Sequence, residues 1–476
     1  MFDKYLLKVL LILLLSACAS KKAINPQKII SEEIPEQWGL ESVVDVDIST
    51  IWWNEFHDNK LDQFLEQFLD RNINLEQAML NTKIAKQGSV ISTSNLFPSL
   101  GISASANESE QNSAGFPPIF ATLLGSQSDD ITTFTQENYN LSLSTQWEID
   151  LWGKLRQGRL AGRQQYLSAK YNYVYYQLSL TSEATKLYFS IIEATQIAQN
   201  AKQKYDNAKI IFDLYTSRYN KGVAPLKTLQ QSEMILNLAK NDLENKKSIA
   251  NSLSREAKVL IKEYPNLSLD IATNFPKSIP NIPQFLPADI IKRRPDLIAS
   301  QYELLASKAL NKQATRSLYP SFSLVGSTGA SSNIQDLLND DFSVWSKGIS
   351  LFAPVFNAGK LIANKKVAKN KKEIAMLNFV NNLLSAYKEV ESGLEFDSTS
   401  ELSLKNLKEN ILLSESIYNT TLDEFSKGVA SIEDVINANN ALFDNKNILA
   451  TSERIRIEQR INLILSLGGG FNYKND

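Results

Sequence analysis

The hydrophobic pattern changes period abruptly at one stretch. Leu141, Leu143, Trp147, Ile149 and Leu151 alternate with Ser142, Ser144, Gln146, Glu148 and Asp150. That period of two predicts a strand with one apolar and one wet face. Gly153 follows, and then about seventy residues without a proline. Within them an apolar seam runs from Leu180 through Ala184, Leu187, Ile191, Ala194 and Ala198 to Phe212, Tyr215 and Tyr219, spaced alternately by four and three. This is the heptad of a left-handed coiled coil, rich in Ala and so suited to close helix packing. A strand is therefore expected to run straight into a helix of about 100 Å at 1.5 Å per residue.

Around this junction the chain reads as two copies of one plan. Leu61 to Leu96 has helical spacing, ended by Phe97-Pro98. Leu100, Ile102, Ala104 and Ala106 alternate with Gly101, Ser103 and Ser105 as a second strand, and residues 107–137, rich in Ser, Asn, Gly, Pro and Asp, read as an exposed loop. After Gly222-Val223-Ala224-Pro225 a further helix is expected to about Ile261, with Pro225 in its first turn. Pro265, Pro276, Pro280, Pro283 and Pro287 then crowd a linker.

Beyond the linker, Tyr319-Pro320-Ser321-Phe322 answers Phe97-Pro98-Ser99-Leu100, Asn357-Ala358-Gly359-Lys360 answers Leu151-Trp152-Gly153-Lys154, and Lys427-Gly428-Val429-Ala430 answers Lys221-Gly222-Val223-Ala224. Gly153 to Gly222 spans 69 positions, as does Gly359 to Gly428. The seam carries over at an offset of 206, Ala184 onto Val390 and Phe212 onto Tyr418. One position breaks the pattern, since Asp397 stands where Ile191 stands in the first copy. The division expected is a signal peptide (1–17), an N-terminal segment (18–60), a first repeat (61–264), an equatorial linker (265–287), a second repeat (288–467) and a tail (468–476). The hairpins fall at about 97–151 and 320–356.

Composition narrows the function more by exclusion. The formal charge of −2 over 476 residues gives no basic excess for nucleic acid. Only 18 Gly and 14 Pro favour long uninterrupted elements. His57 is the only histidine, so no His-based triad or His-rich metal site can be built. Gly468-Gly469-Gly470 lacks the strand and helix context of a phosphate loop. No enzyme, cofactor or nucleotide site is expected, and energy for any transport must come from a partner.

The N-terminus adds an address. Lys4 and Lys8 precede a Val9–Leu15 apolar run too short to span a bilayer, the plan of a signal peptide. Leu15-Ser16-Ala17-Cys18 resembles the lipobox of bacterial lipoproteins, which implies cleavage before Cys18, its acylation, and, with no Asp directly after it, passage to the outer membrane. The strands are long enough to cross a bilayer at a tilt, at ~9 to 11 residues each. Four of them cannot close, and open edges are not tolerated in hydrocarbon, so several copies must share one barrel.

Together the lipobox, Trp52-Trp53, Trp147-Glu148-Ile149-Asp150-Leu151-Trp152-Gly153-Lys154, Arg293-Arg294-Pro295-Asp296-Leu297, the two Lys-Gly-Val-Ala turns and Ser466-Leu467-Gly468-Gly469-Gly470 resemble the TolC-type outer membrane efflux family, in its OprM/NodT-like lipoprotein branch. The resemblance covers nearly all of the mature chain. It implies a mainly α protein with β: a homotrimer with a twelve-stranded transmembrane β-barrel, four strands per chain, continued by a long α-helical barrel in the periplasm. It also implies a passive duct for small molecules, held in the outer membrane by lipid and docked to a periplasmic adaptor and an inner-membrane pump of the RND type. Gly222, Val223, Gly428 and Val429 are then adaptor-docking tips, and Glu433, Asp434 and Asn437 the pore constriction. Asn437 departs from the family, which carries a second Asp there. Export of polypeptides and a non-transporting periplasmic coiled-coil lipoprotein are the alternatives.

Overall fold

The computed structural model describes residues 51–112, 133–266, 269–282, 290–332 and 343–470; Cys18 and the signal peptide lie outside them. The first half comprises α1 (Asn59–Arg71), α2 (Ile73–Ser94), β1 (Ser99–Asn112), β2 (Thr133–Ile149), α3 (Lys154–Asn220) and α4 (Leu226–Leu260). The second comprises α5 (Pro295–Arg316), β3 (Ser321–Ser332), β4 (Ser343–Phe352), α6 (Lys360–Ser426) and α7 (Ile432–Ser466). Both long helices have 67 residues, and both helices that follow them have 35.

The four strands form one antiparallel sheet in the order β1-β2-β3-β4. Its register carries the alternation of β2 across every strand. Ile102 pairs with Leu143, Leu143 with Thr328 and Thr328 with Trp345; four residues along β2, Trp147 pairs with Leu324 and Leu324 with Ile349. On the other face Ser103 meets Ser142 with hydroxyls 2.9 Å apart, and Ser327 meets Ser346 at 2.8 Å. The strands outrun their apolar pattern. Residues 107–112 and 133–137, expected in the loop, continue the ladder as pairs such as Asn107 with Asn138. Composition read them as loop because, Phe134 apart, both stretches are polar throughout; backbone pairing needs no apolar face. At the other end β2 stops at Ile149, leaving Leu151 outside it.

Each strand-to-helix junction turns on a glycine. Gly153 (φ 76°) and Gly359 (φ 79°) cap α3 and α6 in the left-handed region, where any other residue is strained. A glycine has no side chain to satisfy the helix's first amides. For α3 the Asp150 carboxylate does so, accepting from the backbone N–H of Leu155 at 3.0 Å and Arg156 at 2.8 Å.

Leu61 to Leu96 is two helices rather than the single one its spacing suggests. Asn72 (φ −65°, ψ 123°) breaks it; its Oδ1 accepts from the N–H groups of Asn74 and Leu75 and its Nδ2 donates to the Leu260 carbonyl. The break lets α1 fold onto the middle of α3. There Trp52, Phe56, Leu61, Leu65 and Phe68 bury against Tyr188, Phe189 and Ile192, so α3 is covered well beyond its seam. The Tyr188 hydroxyl donates to Asp58 at 2.8 Å and accepts from the Ala272 N–H at 3.1 Å, tying N-terminal segment, wall and linker together. Burial pushes that phenol far above its ordinary pKa. Pro225 sits at the N-cap of α4, just ahead of the first-turn place expected.

Asp397 gains its physical account here. Arg460 of α7, nearly buried, donates through Nε to Asp397 Oδ1 at 3.2 Å and through Nη2 to the same oxygen, while Nη1 reaches the Pro280 carbonyl of the linker. Arg294 forms a matching anchor, held by Asp296 at 2.7 Å and Glu389 at 2.5 Å. An apolar seam gives way to charge where the linker must be tied down. Arg460→Met, which strands the Asp397 carboxylate, should destabilise the protein by about 3 kcal/mol. Adding Asp397→Leu should recover much of that loss in thermal melts of the detergent-solubilised protein. Equal melting points for the single and double variants would contradict this account.

Candidate functional site

Among the described residues no cluster of reactive side chains marks a site; the candidate is a wall. Among the described residues no three His, Cys, Asp or Glu side chains gather as a metal site, and no helix is long and apolar enough to cross a membrane. The sheet presents large apolar side chains outward from the protomer: Ile102 is 77% exposed, Trp345 71% and Ile349 75%. A contiguous apolar face of that kind needs a lipid or protein cover. The opposite face, with Ser142, Ser144, Gln146 and Glu148, can line water.

At the base of the sheet a group of aromatics carries polar handles. Trp147 Nε1 donates to the Leu96 carbonyl at 2.9 Å and Trp152 Nε1 to the Pro320 carbonyl at 2.7 Å, with the Trp152 and Tyr319 rings 5.5 Å apart. An apolar ring with a satisfied N–H suits a membrane boundary. Below it Glu148 pairs with Lys154 at 2.6 Å and Asp150 with Arg156 at 3.2 Å.

The far ends of the helices are two matching tips. Gly222 (φ 71°) and Gly428 (φ 78°) are left-handed. The Val223 N–H bonds the Arg218 carbonyl and the Val429 N–H the Glu424 carbonyl, both at 2.9 Å, so each tip closes as a Schellman turn. Val223 and Val429 project from the turns, 75% and 77% exposed. Behind them Ile211, Tyr215, Phe425, Ile432 and Val435 form a small core, with the Arg218 guanidinium 5.9 Å from both rings.

Glu433, Asp434 and Asn437 fall on one exposed face of the first turns of α7, while Ile432 and Val435 are buried on the other. Asp434 also serves locally. Its carboxylate accepts from the Ser431 N–H at 2.8 Å and the Ser431 hydroxyl at 2.6 Å, and its own N–H bonds Ser431 Oγ at 3.2 Å, a reciprocal capping box. These bonds from Ser431 hold the Asp434 carboxyl below its ordinary pKa. The Ser-x-x-Asp spacing announced this partnership, and the sequence reading overlooked Ser431. It also passed over Asp150 as the cap of α3, whose signal, an acid four residues before the helix start, is weak.

Three comparisons bear on this wall. The family model described as outer membrane efflux protein matches residues 64–253 and 286–469. The solvent efflux pump outer membrane protein SrpC of Pseudomonas putida is 24% identical over 433 residues, covering 88% of this chain and 87% of that protein. The cation efflux system protein CusC of Escherichia coli K12 is 22% identical over 452 residues, 92% and 93% of the two chains. Among solved structures, the Campylobacter jejuni CmeC outer membrane channel superposes with a TM-score of 0.81 at 23% identity, covering 97% of this chain and 95% of that one.

Asp434→Ala should loosen the α7 tip, read as faster hydrogen exchange at the Ser431 and Asp434 amides. Because the folded pKa is depressed, the cap is fully present above the ordinary carboxylate value of 3.8 and is lost as pH falls through the lower folded value. Wild type and variant should therefore differ near neutral pH and converge only in stronger acid.

Proposed function

The chain belongs to the outer membrane efflux protein family, and we propose that it is the outer-membrane duct of a tripartite efflux system, a passive homotrimer that carries small molecules out of the cell. The observation that carries this is the open sheet. Four strands of 10 to 17 residues, one face apolar and both outer edges unpaired, run directly into 67-residue helices. Backbone edges bared to hydrocarbon cost several kcal/mol per group, so the sheet must close on copies of itself, and three copies make a barrel of twelve strands. The polar faces then enclose water, and the helices extend the passage into the periplasm.

Cys18 supplies the lipid anchor in this reading. The energy source in this reading is an inner-membrane pump of the RND type, coupled through a periplasmic adaptor. Gly222, Val223, Gly428 and Val429 are the adaptor contacts; their support is the pair of exposed valines on matching rigid turns. Glu433 and Asp434, three copies each, narrow the periplasmic mouth with negative charge that favours cations, and the neutral Asn437 leaves the ring one turn further in uncharged. The names of the two relatives, one a solvent and one a cation system, support small solutes as the cargo.

The purified protein should run as a heat-modifiable trimer and open cation-preferring channels in planar bilayers. Glu433→Ala with Asp434→Ala should raise conductance and weaken the cation preference by a few fold. A water-soluble, all-helical product of Cys18→Ser would sink the duct; unchanged channel properties in the double variant would remove only the constriction.

A further inference from the structure

The helix segments that adjoin the sheet carry charge of one sign. From Lys154 to Ser182, α3 has five basic residues and no acidic one; from Lys360 to Lys372, α6 has six lysines and no acidic one. α2 beyond Glu76 and α5 beyond Glu303 likewise hold only Lys83 and Lys86, and Lys308, Lys312 and Arg316. In a chain whose net charge is −2, four segments that are far apart in sequence have been made purely positive at one height of the fold.

Arg156, Arg159 and Arg163, spaced by three and four, share an exposed face of α3. α2 approaches α3 at Gly162, where an added Cβ would meet Ser92 and Ser89, and α5 approaches at Gly158, against Gln313. Both neighbours lie to the side away from the arginines, so the stripe stands on the convex face of the helical wall. Lys365 and Lys369 of α6 occupy the positions 206 residues after Arg159 and Arg163 and are exposed as well. Both halves of the repeat thus leave the same positions exposed with the same sign.

This chain meets only part of that charge. Lys154 and Arg156 pair with Glu148 and Asp150, and Lys369 lies 3.9 Å from Glu373. Arg159, Arg163, Lys365 and Lys366 have no ion-pair partner among the described residues. Lys308 is held below the ordinary lysine pKa, first by burial and then by Lys372 and Lys312 crowding it from two helices. The stripe begins directly beneath the aromatics Trp147, Trp152 and Tyr319, and Arg156 to Arg163 lie about 3 to 14 Å below the start of α3 at 1.5 Å per residue. That is the depth of a headgroup layer and one Debye length beyond it, about 8 Å at physiological salt.

We propose that this basic collar binds the anionic phospholipid headgroups of the periplasmic leaflet, seating the duct at a fixed height. The proposal rests on the reading of the sheet as membrane-embedded. Its chemistry is charge attraction to phosphate at the edge of the bilayer, on a surface continuous with the apolar face of the sheet and its aromatic border.

The test uses the full-length trimer in nanodiscs of phosphatidylethanolamine and phosphatidylglycerol, with retained lipid measured by native mass spectrometry. The wild type should be enriched in phosphatidylglycerol, and raising salt should reduce the enrichment. A variant carrying Arg159→Gln, Arg163→Gln, Lys365→Gln and Lys369→Gln should lose it by about tenfold while keeping its trimer and its conductance. No preference in the wild type, or an undiminished one in the variant, overturns the collar. So does a variant that changes the ion selectivity of the channel and leaves the lipid preference alone, which would put these residues inside the duct. A wild type that forms no trimer in the same bilayers overturns the membrane reading instead, and the collar with it.

Discussion

A sheet of four strands has two edges, and each edge is a row of backbone donors and acceptors with nothing to bond. In water such an edge is a liability; in hydrocarbon it is forbidden. The rest of the molecule follows from that constraint. The strands must be completed by other copies, their apolar side chains must face lipid, and the serines that alternate with them must face water. A hollow wall results without any residue having to choose a substrate.

The wall then has to be continued rigidly. Glycines at φ 76° and 79° turn strand into helix, and the Asp150 carboxylate closes the helix start. Mid-length, the N-terminal aromatics and the linker clasp the helices through Tyr188, Arg294 and Arg460. Those charged anchors are buried and hydrogen-bonded on several sides, the condition under which burial of charge is tolerated. Two Schellman turns finish the far ends. Stiffness comes from this series of local solutions, each placed where a helix begins, ends or meets the belt.

Charge is distributed by height in the same way. The helix segments that adjoin the sheet carry basic residues alone, Glu433 and Asp434 join Lys221 and Lys427 at the tips, and mixed pairs occupy the stretch between. Near-neutral totals conceal this arrangement, because the segments that share a height are far apart in the sequence. Only the antiparallel folding of each repeat assembles them.

By itself the sequence determined what depends on period and spacing. The strand alternation from Leu141 to Ile149, the long seam of α3, the twin glycines and their equal spacings all follow from local geometry that each residue carries with it. Those features were enough for the fold class. The tertiary structure decided what depends on partners distant in the chain: that 107–112 and 133–137 are strand, through ladder bonds alone; that Asn72 ends a helix, because Leu260 accepts its amide; that Asp397 belongs in a seam, because Arg460, itself held by the Pro280 carbonyl, meets it there. Period is written along the chain, whereas a hydrogen bond or ion pair across tens or hundreds of residues exists only once folding has brought its two ends together.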